Sequence, residues 1–195
     1  MSAAEPAHTN DVDVLEDCVG RILEVLAGNP ARTGLRGTPR RVARSLLDLT
    51  DGYGADVQAI VRGALYAHDG SDSVMVRDIP FYSLCEHHLL PMFGRCHIGY
   101  VPTRKVIGIS KLPRLVDVFA HRLQMQERMT REIAAAIEEL TGASGVGVVT
   151  EARHLCVEMR GVQKSESVTI SSSLLGDYRT SPSLRAELMS AVERR

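Results

Sequence analysis

The sequence predicts an α+β fold in which an antiparallel sheet carries a helix pair, preceded by an N-terminal helical appendage. Three observations support this prediction. Apolar residues in the first fifty positions recur with helical spacing, whereas several later segments are short and rich in Val and Ile. The order of segments is helices, strands, a helix pair, strands and a final helix. Strand runs with helices inserted between them are typical of antiparallel sheets.

The composition predicts a soluble cytoplasmic protein with an aliphatic core. The chain has 195 residues, 44% of them hydrophobic, with 3 Phe and no Trp. Its formal net charge of −1 provides no basic field, so we expect no nucleic-acid partner. No run of eighteen apolar residues occurs, so we expect no membrane association. The 4 cysteines, two of them close to histidines, indicate reduced thiols and metal ligands rather than disulfides.

We divide the chain into residues 1–55, a tail and helical appendage, and residues 56–195, an α+β domain that carries the chemistry. Residues 1–10 are small and polar, which is typical of a frayed tail. Helical periodicity follows, and Gly28-Asn29-Pro30 should end the first helix. Thr38-Pro39 is typical of an N-cap and a first-turn proline, which predicts a second helix.

The second part should contain five strands, a helix pair and a C-terminal helix. Pro80 and the turn that follows should interrupt the first strand. The predicted strands are 73–79, 95–101, 146–150, 155–159 and 168–172. The predicted helices begin at Ser110, as N-cap, and span 124–140 and 177–195.

The stretch Cys85-Glu86-His87-His88 holds the most candidate chemistry. Cys85 and His88 are three residues apart, so one tight turn could direct both at the same ion. Thiolate and imidazole suit zinc better than magnesium or calcium. The best candidate for a third ligand is Cys156. Two cysteines, one histidine and an open fourth position would form a catalytic rather than a structural site.

Two alternatives remain at this metal group. One is a surface turn without metal, and the other is a closed structural zinc with Cys18, Cys96 or another histidine as fourth ligand. Cys96 should share a strand face with apolar residues, and Cys18 lies beside apolar residues on an amphipathic helix. We therefore predict that both are core residues, which leaves three protein ligands.

The predicted strand at 155–159 would extend the metal group. Because side chains alternate along a strand, His154, Cys156, Glu158 and Arg160 should share one polar face. The alternative is an exposed sheet face on which Cys156 is incidental. His154 and His87 each lie within two residues of a predicted ligand, and histidine titrates near neutral pH. We interpret both as acid–base groups.

Ser110-Lys111-Leu-Pro-Arg114 predicts an anion site at a helix N-terminus. Lys111 and Arg114 should lie on one helix face, beside free backbone N–H groups. A solvated basic turn is the alternative reading of this feature alone. The next helix begins at Gln124-Met-Gln-Glu-Arg128, where a glutamate could pair with an arginine or bind a purine edge.

Together these motifs resemble those of the type I GTP cyclohydrolase family. The most specific are Ser83-x-Cys-Glu-His-His88 and Gln124-x-Gln-Glu-Arg128. The resemblance covers most of the chain, and the other matching segments are 29–35, 38–43, 99–102, 107–111, 154–156 and 159–164.

The resemblance implies a tunnelling fold assembled as a toroidal homodecamer of two pentamers, with active sites at subunit interfaces. It implies zinc-dependent hydrolysis of the guanine imidazole ring of GTP, with release of formate and formation of 7,8-dihydroneopterin triphosphate. This reaction is the first step of tetrahydrofolate and pterin synthesis. The alternatives are a fold relative acting on another purine or pterin, such as a nitrile reductase, and a non-catalytic zinc-stabilised interaction protein.

The resemblance also implies a role for each candidate residue. The zinc ligands would be Cys85, His88 and Cys156, and the proton-transfer pair would be His87 and His154. The remaining candidates would bind substrate, with Gln126 and Glu127 on the guanine edge and Ser110, Lys111, Arg114 and Arg160 on the triphosphate.

Overall fold

The computed structural model describes residues 9–27, 31–70 and 72–193. The predicted tail at 1–8 and the predicted helix stop at 28–30 lie outside these ranges. The helices are α1 (Thr9–Ala27), α2 (Thr38–Asp48), α3 (Val57–Val61), α4 (Lys111–Ala120), α5 (Gln126–Thr141), α6 (Leu155–Glu158), α7 (Asp177–Thr180) and α8 (Pro182–Glu193). The strands are β1 (Leu65–Ala67), β2 (Val74–Cys85), β3 (Pro91–Val101), β4 (Lys105–Ile107), β5 (Leu123–Gln124), β6 (Gly145–His154) and β7 (Thr169–Gly176).

The main sheet has the strand order β5-β2-β3-β6-β7. The pairs β2–β3, β3–β6 and β6–β7 are antiparallel, and β5 adds a short parallel pairing beside the end of β2. A separate two-stranded ribbon joins β1 to β4. The predicted α+β class with an antiparallel sheet is therefore confirmed.

The helix pair α4 and α5 covers one face of this sheet. Leu115 and Phe119 of α4 and Ile133 of α5 belong to the same buried cluster as Phe81 and Ile98 of the sheet. Cys96 also lies in this cluster and is fully buried, so its predicted core position is confirmed. The helix pair thus fixes the end of β2, where the metal motif begins.

The opposite face of the sheet packs against α7 and α8. Tyr178, Leu188 and Val192 are buried there with Val149. Gly147 permits this close approach, because a Cβ at this position would lie 2.6 Å from Leu188 Cδ2. Burial also raises the pKa of the Tyr178 phenol to about 12.

The N-terminal helices α1 and α2 pack against each other. Arg40 of α2 donates to Glu16 of α1 at 2.7 Å. Cys18 is exposed, so the prediction that it is a core residue is wrong. Neighbouring apolar residues of α1 share this exposure, with Val25 84% and Leu26 76% exposed. The amphipathic pattern of α1 therefore marks a face that the described residues of one chain leave open.

Of the two predicted N-cap residues, one is confirmed and the other is displaced by one position. Ser110 is the N-cap residue of α4, as predicted, although its side chain makes no capping hydrogen bond. Gly37 rather than Thr38 is the N-cap residue of α2, so that prediction is wrong by one position. The Thr38 hydroxyl instead accepts a hydrogen bond from Arg41 within the helix.

Strand β2 continues through Pro80 to Cys85, so the predicted interruption is wrong. Pro80 pairs with Arg95 of β3 on one side, while β5 pairs with β2 at Leu84 and Cys85 on the other. A proline is tolerated where the missing N–H faces an unpaired edge. The irregularity lies before Pro80, where the register shifts and Asp78 takes a φ of 60°.

The predicted strand at 155–159 is also wrong, because β6 ends at His154 and α6 follows. The β3–β6 ladder closes with Met92 opposite His154. The next residue of β3 along the ladder would be Pro91, which has no N–H to donate. In the described ranges, no helix is long and apolar enough to cross a membrane.

Candidate metal and active site

The Cys85 motif forms a tight turn between β2 and β3. Cys85 N donates to Leu90 O at 2.9 Å, and Leu89 N donates back to Cys85 O at 2.8 Å. Leu89 takes a φ of 53°, which reverses the chain sharply. This turn brings Cys85 Sγ and His88 Nδ1 to 3.9 Å from each other.

Cys156 joins these two residues from the other side of β3. The end of β6 lies beside the start of β3, and α6 then carries Cys156 toward the turn. The possible ligand atoms of Cys85, His88 and Cys156 all lie within 4.8 Å of one another. In a tetrahedral zinc site, ligand atoms about 2.0–2.3 Å from the metal are separated by roughly 3.5–3.8 Å. The group thus fits a metal ion after a small contraction.

The strand expectation for this region was wrong, yet Cys156 reaches the predicted neighbours. Glu158, which should have shared the polar face, instead binds Arg153, with Nε donating to Oε1 at 2.8 Å. That hydrogen bond lowers the pKa of Glu158. Burial raises the pKa of the Cys156 thiol, and the thiol of Cys85 shifts it in the same direction. Proton loss from these thiols would accompany metal binding.

His87 differs from its neighbour His88 in its surroundings. Its side chain is 61% exposed, with Nε2 lying 3.9 Å from Glu86 Oε1. His87 Nδ1 also lies 3.9 Å from Cys85 Sγ. The metal-ligand group contains His88 and not His87, which leaves the His87 ring at the edge of the group.

An ion pair braces the turn against α5. Arg128 donates to the carboxylate of Glu86, to Leu123 O at 3.0 Å and to Gln124 Oε1 at 3.0 Å. Glu86 N in turn donates to Gln124 O at 3.1 Å. The contact with Glu86 raises the pKa of Arg128. The metal turn and the start of α5 are therefore held as one unit.

Sequence reasoning left the partner of Arg128 open. The signals were present, because Glu86 lies inside the Cys-Glu-His-His motif and Arg128 closes the Gln-x-Gln-Glu-Arg motif. What the sequence lacked was the parallel pairing of β5 with the end of β2, which places the two motifs side by side.

His154, two residues before Cys156, contacts Gln126 at the start of α5. His154 Nε2 lies 2.8 Å from Gln126 Oε1. Burial lowers the pKa of His154, and the carboxylate of Glu127 acts in the opposite direction. Glu127 is exposed, whereas Gln126 is only 1% exposed. This burial does not support the expected contact of the Gln126 side chain with substrate, whereas the Glu127 carboxylate is accessible.

The predicted anion-binding residues belong to two elements of the fold, with Arg160 following α6 and the other three at the start of α4. Arg160 is exposed close to Cys156, where its charge lowers the thiol pKa against the larger effect of burial. Lys111 opens α4, and the other end of α4 leads into β5 beside the metal turn. Ten helical residues separate these two ends by about 15 Å. Ser110 and Arg114 lie in the same half of α4 as Lys111.

His97 does not join the metal group. It is 2% exposed in the middle of β3, and its Nδ1 accepts the backbone N–H of Asp78 at 3.3 Å. Its Nε2 is buried without a hydrogen-bond partner among the described residues. Burial lowers the pKa of this imidazole. His97 is thus a neutral interior histidine of the fold.

Comparison with known proteins places this chain in a family. The sequence profile described as GTP cyclohydrolase I matches residues 15–193. The chain is 54% identical over 177 residues to a GTP cyclohydrolase 1 of Campylobacter jejuni, covering 91% of this chain and 93% of that protein. It is 46% identical over 191 residues to a GTP cyclohydrolase 1 of Gloeobacter violaceus, covering 98% of this chain and 89% of that protein.

Among solved structures, an archaeosine synthase QueF-Like protein in the apo form matches with a TM-score of 0.47 and 13% identity. That match covers 55% of this chain and 96% of the other. The family match is far more extensive, since it takes in both Cys-Glu-His-His and Gln-x-Gln-Glu-Arg motifs and nearly the whole chain. This chain belongs to the GTP cyclohydrolase I family.

Proposed function

We propose that this protein hydrolyses the guanine imidazole ring of GTP, releases formate and forms 7,8-dihydroneopterin triphosphate. The observation that carries the proposal is the group of Cys85, His88 and Cys156 with His154 two residues away. The names of the relatives, GTP cyclohydrolase 1, support the substrate. The cytoplasmic location expected from the composition is part of the same proposal.

The metal is zinc in this proposal. Two thiolates and one imidazole are the donor set that zinc prefers, and three protein ligands leave one position open. When bound, zinc supplies the Lewis acidity that makes water a nucleophile near neutral pH. Cys85, His88 and Cys156 would hold the ion, and the brace between Glu86 and Arg128 would keep their turn in place.

Two histidines would move the protons that ring opening requires. Attack of water at C8 of guanine releases a proton, which a base must accept. Cleavage of the C8–N bond then requires an acid to donate a proton to the departing nitrogen. His154 is half-buried at the end of β6, two residues before Cys156, and His87 is exposed on the turn, with its Nδ1 3.9 Å from Cys85 Sγ. Neutral imidazole accepts a proton and imidazolium donates one, so this pair can serve both needs.

Glu127 would recognise the guanine edge. A carboxylate offers two acceptor oxygens, which match the adjacent N1–H and N2–H donors of guanine. Glu127 is exposed in the first turn of α5, one residue from Gln126 and electrostatically coupled to His154. Base recognition and proton transfer would therefore occur at neighbouring points of one surface.

The triphosphate would lie between cationic side chains of two chains. Arg160 is close to the metal group of its own chain, whereas Ser110, Lys111 and Arg114 are at the far end of α4. The side chains of Arg114 and Arg160 form no hydrogen bond or ion pair with a described residue. We infer that the helix start of a neighbouring chain completes each site, with its cationic side chains facing the phosphates.

The sheet has the open edges that such an assembly needs. In the described chain, β7 pairs with β6 alone, and β2 pairs with β5 only at Leu84 and Cys85. Unpaired backbone groups on both edges would be satisfied if β7 of one chain joined β2 of the next. We propose that five chains close a ring in this way and that two rings form the toroidal homodecamer.

The direct test is incubation of the purified, zinc-loaded protein with GTP. We expect one formate per GTP consumed and a pterin whose fluorescence appears after oxidation. The control is Cys85→Ala, which lacks a ligand and should give neither product. Zinc binding without formate release from GTP would support a non-catalytic zinc protein instead. Turnover of a different purine or pterin in preference to GTP would support a fold relative.

A further inference from the structure

His154 is held by a buried hydrogen-bond network that the reaction roles above do not use. Its Nε2 lies 2.8 Å from the side-chain oxygen of Gln126. Gln126 opens α5 and is 1% exposed, while its partners Thr130 and Thr150 are both fully buried. Buried polar groups of this kind must satisfy one another, so the direction of every hydrogen bond can be worked out.

Two backbone carbonyls determine the orientation of the Gln126 amide. Gln126 Nε2 lies 3.0 Å from Thr150 O and 3.0 Å from Thr169 O. Carbonyl oxygens accept hydrogen bonds and cannot donate them. The amide NH₂ must therefore face these carbonyls, because the reverse orientation would place three acceptor oxygens together. Gln126 Oε1 is consequently the atom that faces His154.

The threonine hydroxyls agree with this orientation. Thr130 Oγ1 donates its one proton to Gln126 O at 2.7 Å. The 2.7 Å contact between the two hydroxyls must then use the proton of Thr150. Thr150 Oγ1 is left as an acceptor, and Gln126 Nε2 lies 3.1 Å from it. The network is closed and each of its donors has an acceptor.

The consequence for His154 is a defined tautomer. Since Gln126 Oε1 can only accept, the proton of the neutral imidazole must be on Nε2. Nδ1 then carries the lone pair, and it has no hydrogen-bond partner among the described residues. We propose that Gln126 is a positioning residue that holds His154 as the Nε2–H tautomer, with Nδ1 presented as the proton acceptor. This inference rests on the proposed role of His154 in proton transfer.

The tautomer can be observed in the wild-type protein without any substitution at Gln126. Magic-angle-spinning NMR of zinc-loaded protein labelled with ¹⁵N-histidine should show His154 protonated at Nε2. The signal is assigned by its absence from the spectrum of His154→Ala. An Nδ1–H tautomer for His154 would overturn the proposal.

Kinetics of Gln126→Met tests the consequence for the reaction. Methionine has a similar length but cannot accept from His154 Nε2. Outer partners that fix a functional histidine typically contribute about 10–100-fold, so kcat should fall by that factor while zinc content is retained. KM for GTP should change less than about threefold, because Gln126 does not touch substrate in this account. A raised KM with unchanged kcat would overturn the proposal in favour of direct substrate binding.

A double-mutant cycle separates positioning from a merely structural role. If Gln126 acts through His154, then Gln126→Met should have little further effect on kcat in the His154→Ala background. Equal losses in both backgrounds would overturn the proposal. Thr130→Val and Thr130→Ser form a matched pair that leaves Gln126 intact, and only the valine variant should lower kcat. Full formate release by His154→Ala would remove His154 from the proton-transfer pair. Absence of formate release by the zinc-loaded wild-type protein would refute the proposed function itself, and the NMR result depends on neither outcome.

Discussion

The helix pair α4 and α5 has a metal end, where α5 starts beside β5, and an anion end, where α4 starts. The two ends differ in how many of their functional side chains have partners within one chain. At the end beside β5, Arg128 donates to Glu86 of the metal turn, and Gln126 of α5 donates to Thr150 O of β6. At the other end, Lys111 and Arg114 have no side-chain hydrogen bond or ion pair with a described residue. One end is braced by hydrogen bonds within the chain, whereas the other presents cationic side chains that have no such partners among the described residues.

This difference has a physical reason. Side chains that bind a metal or fix the tautomer of a histidine must be correctly positioned before substrate binds. Buried hydrogen bonds in which every donor and acceptor has a partner provide this positioning. Groups that bind a polyanion gain most when their charges are not already neutralised by the protein. The structure therefore predicts large chemical losses from changes at the metal end and binding losses from changes at the anion end.

The largest effect is expected from Cys156→Ala. Loss of one of three protein ligands should lower zinc content per chain and reduce formate release from GTP to background. Zinc content is measured by elemental analysis of the purified variant after dialysis. Full zinc occupancy in Cys156→Ala would remove Cys156 from the ligand set.

The histidines at the metal end should affect rate without affecting metal. His87→Ala and His154→Ala should retain zinc and GTP affinity, while turnover falls by about 10²–10⁴-fold, the usual contribution of acid–base groups. Formate release, zinc content and GTP affinity are measured for both variants. If one histidine acts early and the other late, a ring-opened formamide should accumulate in only one of them. Loss of zinc from His87→Ala would reverse the roles of His87 and His88.

A smaller effect is expected at the phosphates. A charge-assisted hydrogen bond contributes about 1.5–3 kcal/mol, so Arg160→Ala should weaken GTP binding roughly tenfold or more. Guanosine, which has no phosphates, serves as the matched ligand and should bind nearly unchanged. Equal losses for GTP and guanosine, measured by calorimetry, would show that Arg160 has another role.

The smallest effect concerns fold stability away from the site. Burial lowers the pKa of His97 below its usual value near 6.5. The folded protein therefore binds fewer protons at His97 than the unfolded chain, and stability falls as pH drops from about 7 toward the folded pKa. His97→Gln should lose less thermal stability than wild type between about pH 7.5 and pH 5.5. Identical pH slopes of the melting temperature would contradict this account.

The sequence predicted the presence of helices and strands better than the positions at which the strands end. The helix pair, the strand that carries Cys96 and the N-cap at Ser110 follow from periodicity and turn chemistry. The continuation of β2 through Pro80 and the end of β6 at His154 depend on which neighbouring strand is present, and this is not encoded locally. The domain division after residue 55 stays a prediction.

The same distinction applies to the site. The spacing of Cys85 and His88 and the choice of Cys156 were sufficient to predict, from residue chemistry, which three side chains lie close enough to hold a metal. The network of Gln126 could not be predicted, because it joins residues 24 and 43 positions apart through backbone carbonyls. The exposed face of α1 also escaped prediction, since amphipathic spacing does not say which chain covers the apolar side.

The claim that two chains complete each site can be tested by mixing inactive partners. His154→Ala lacks the metal-end chemistry, and the double variant Lys111→Ala/Arg114→Ala lacks the anion end. If the ends of neighbouring chains meet, co-expression with random assembly should restore about a quarter of the wild-type sites. Formate release from GTP by the mixed oligomer is the measurement. Activity no greater than that of the two separate parents would contradict the shared site.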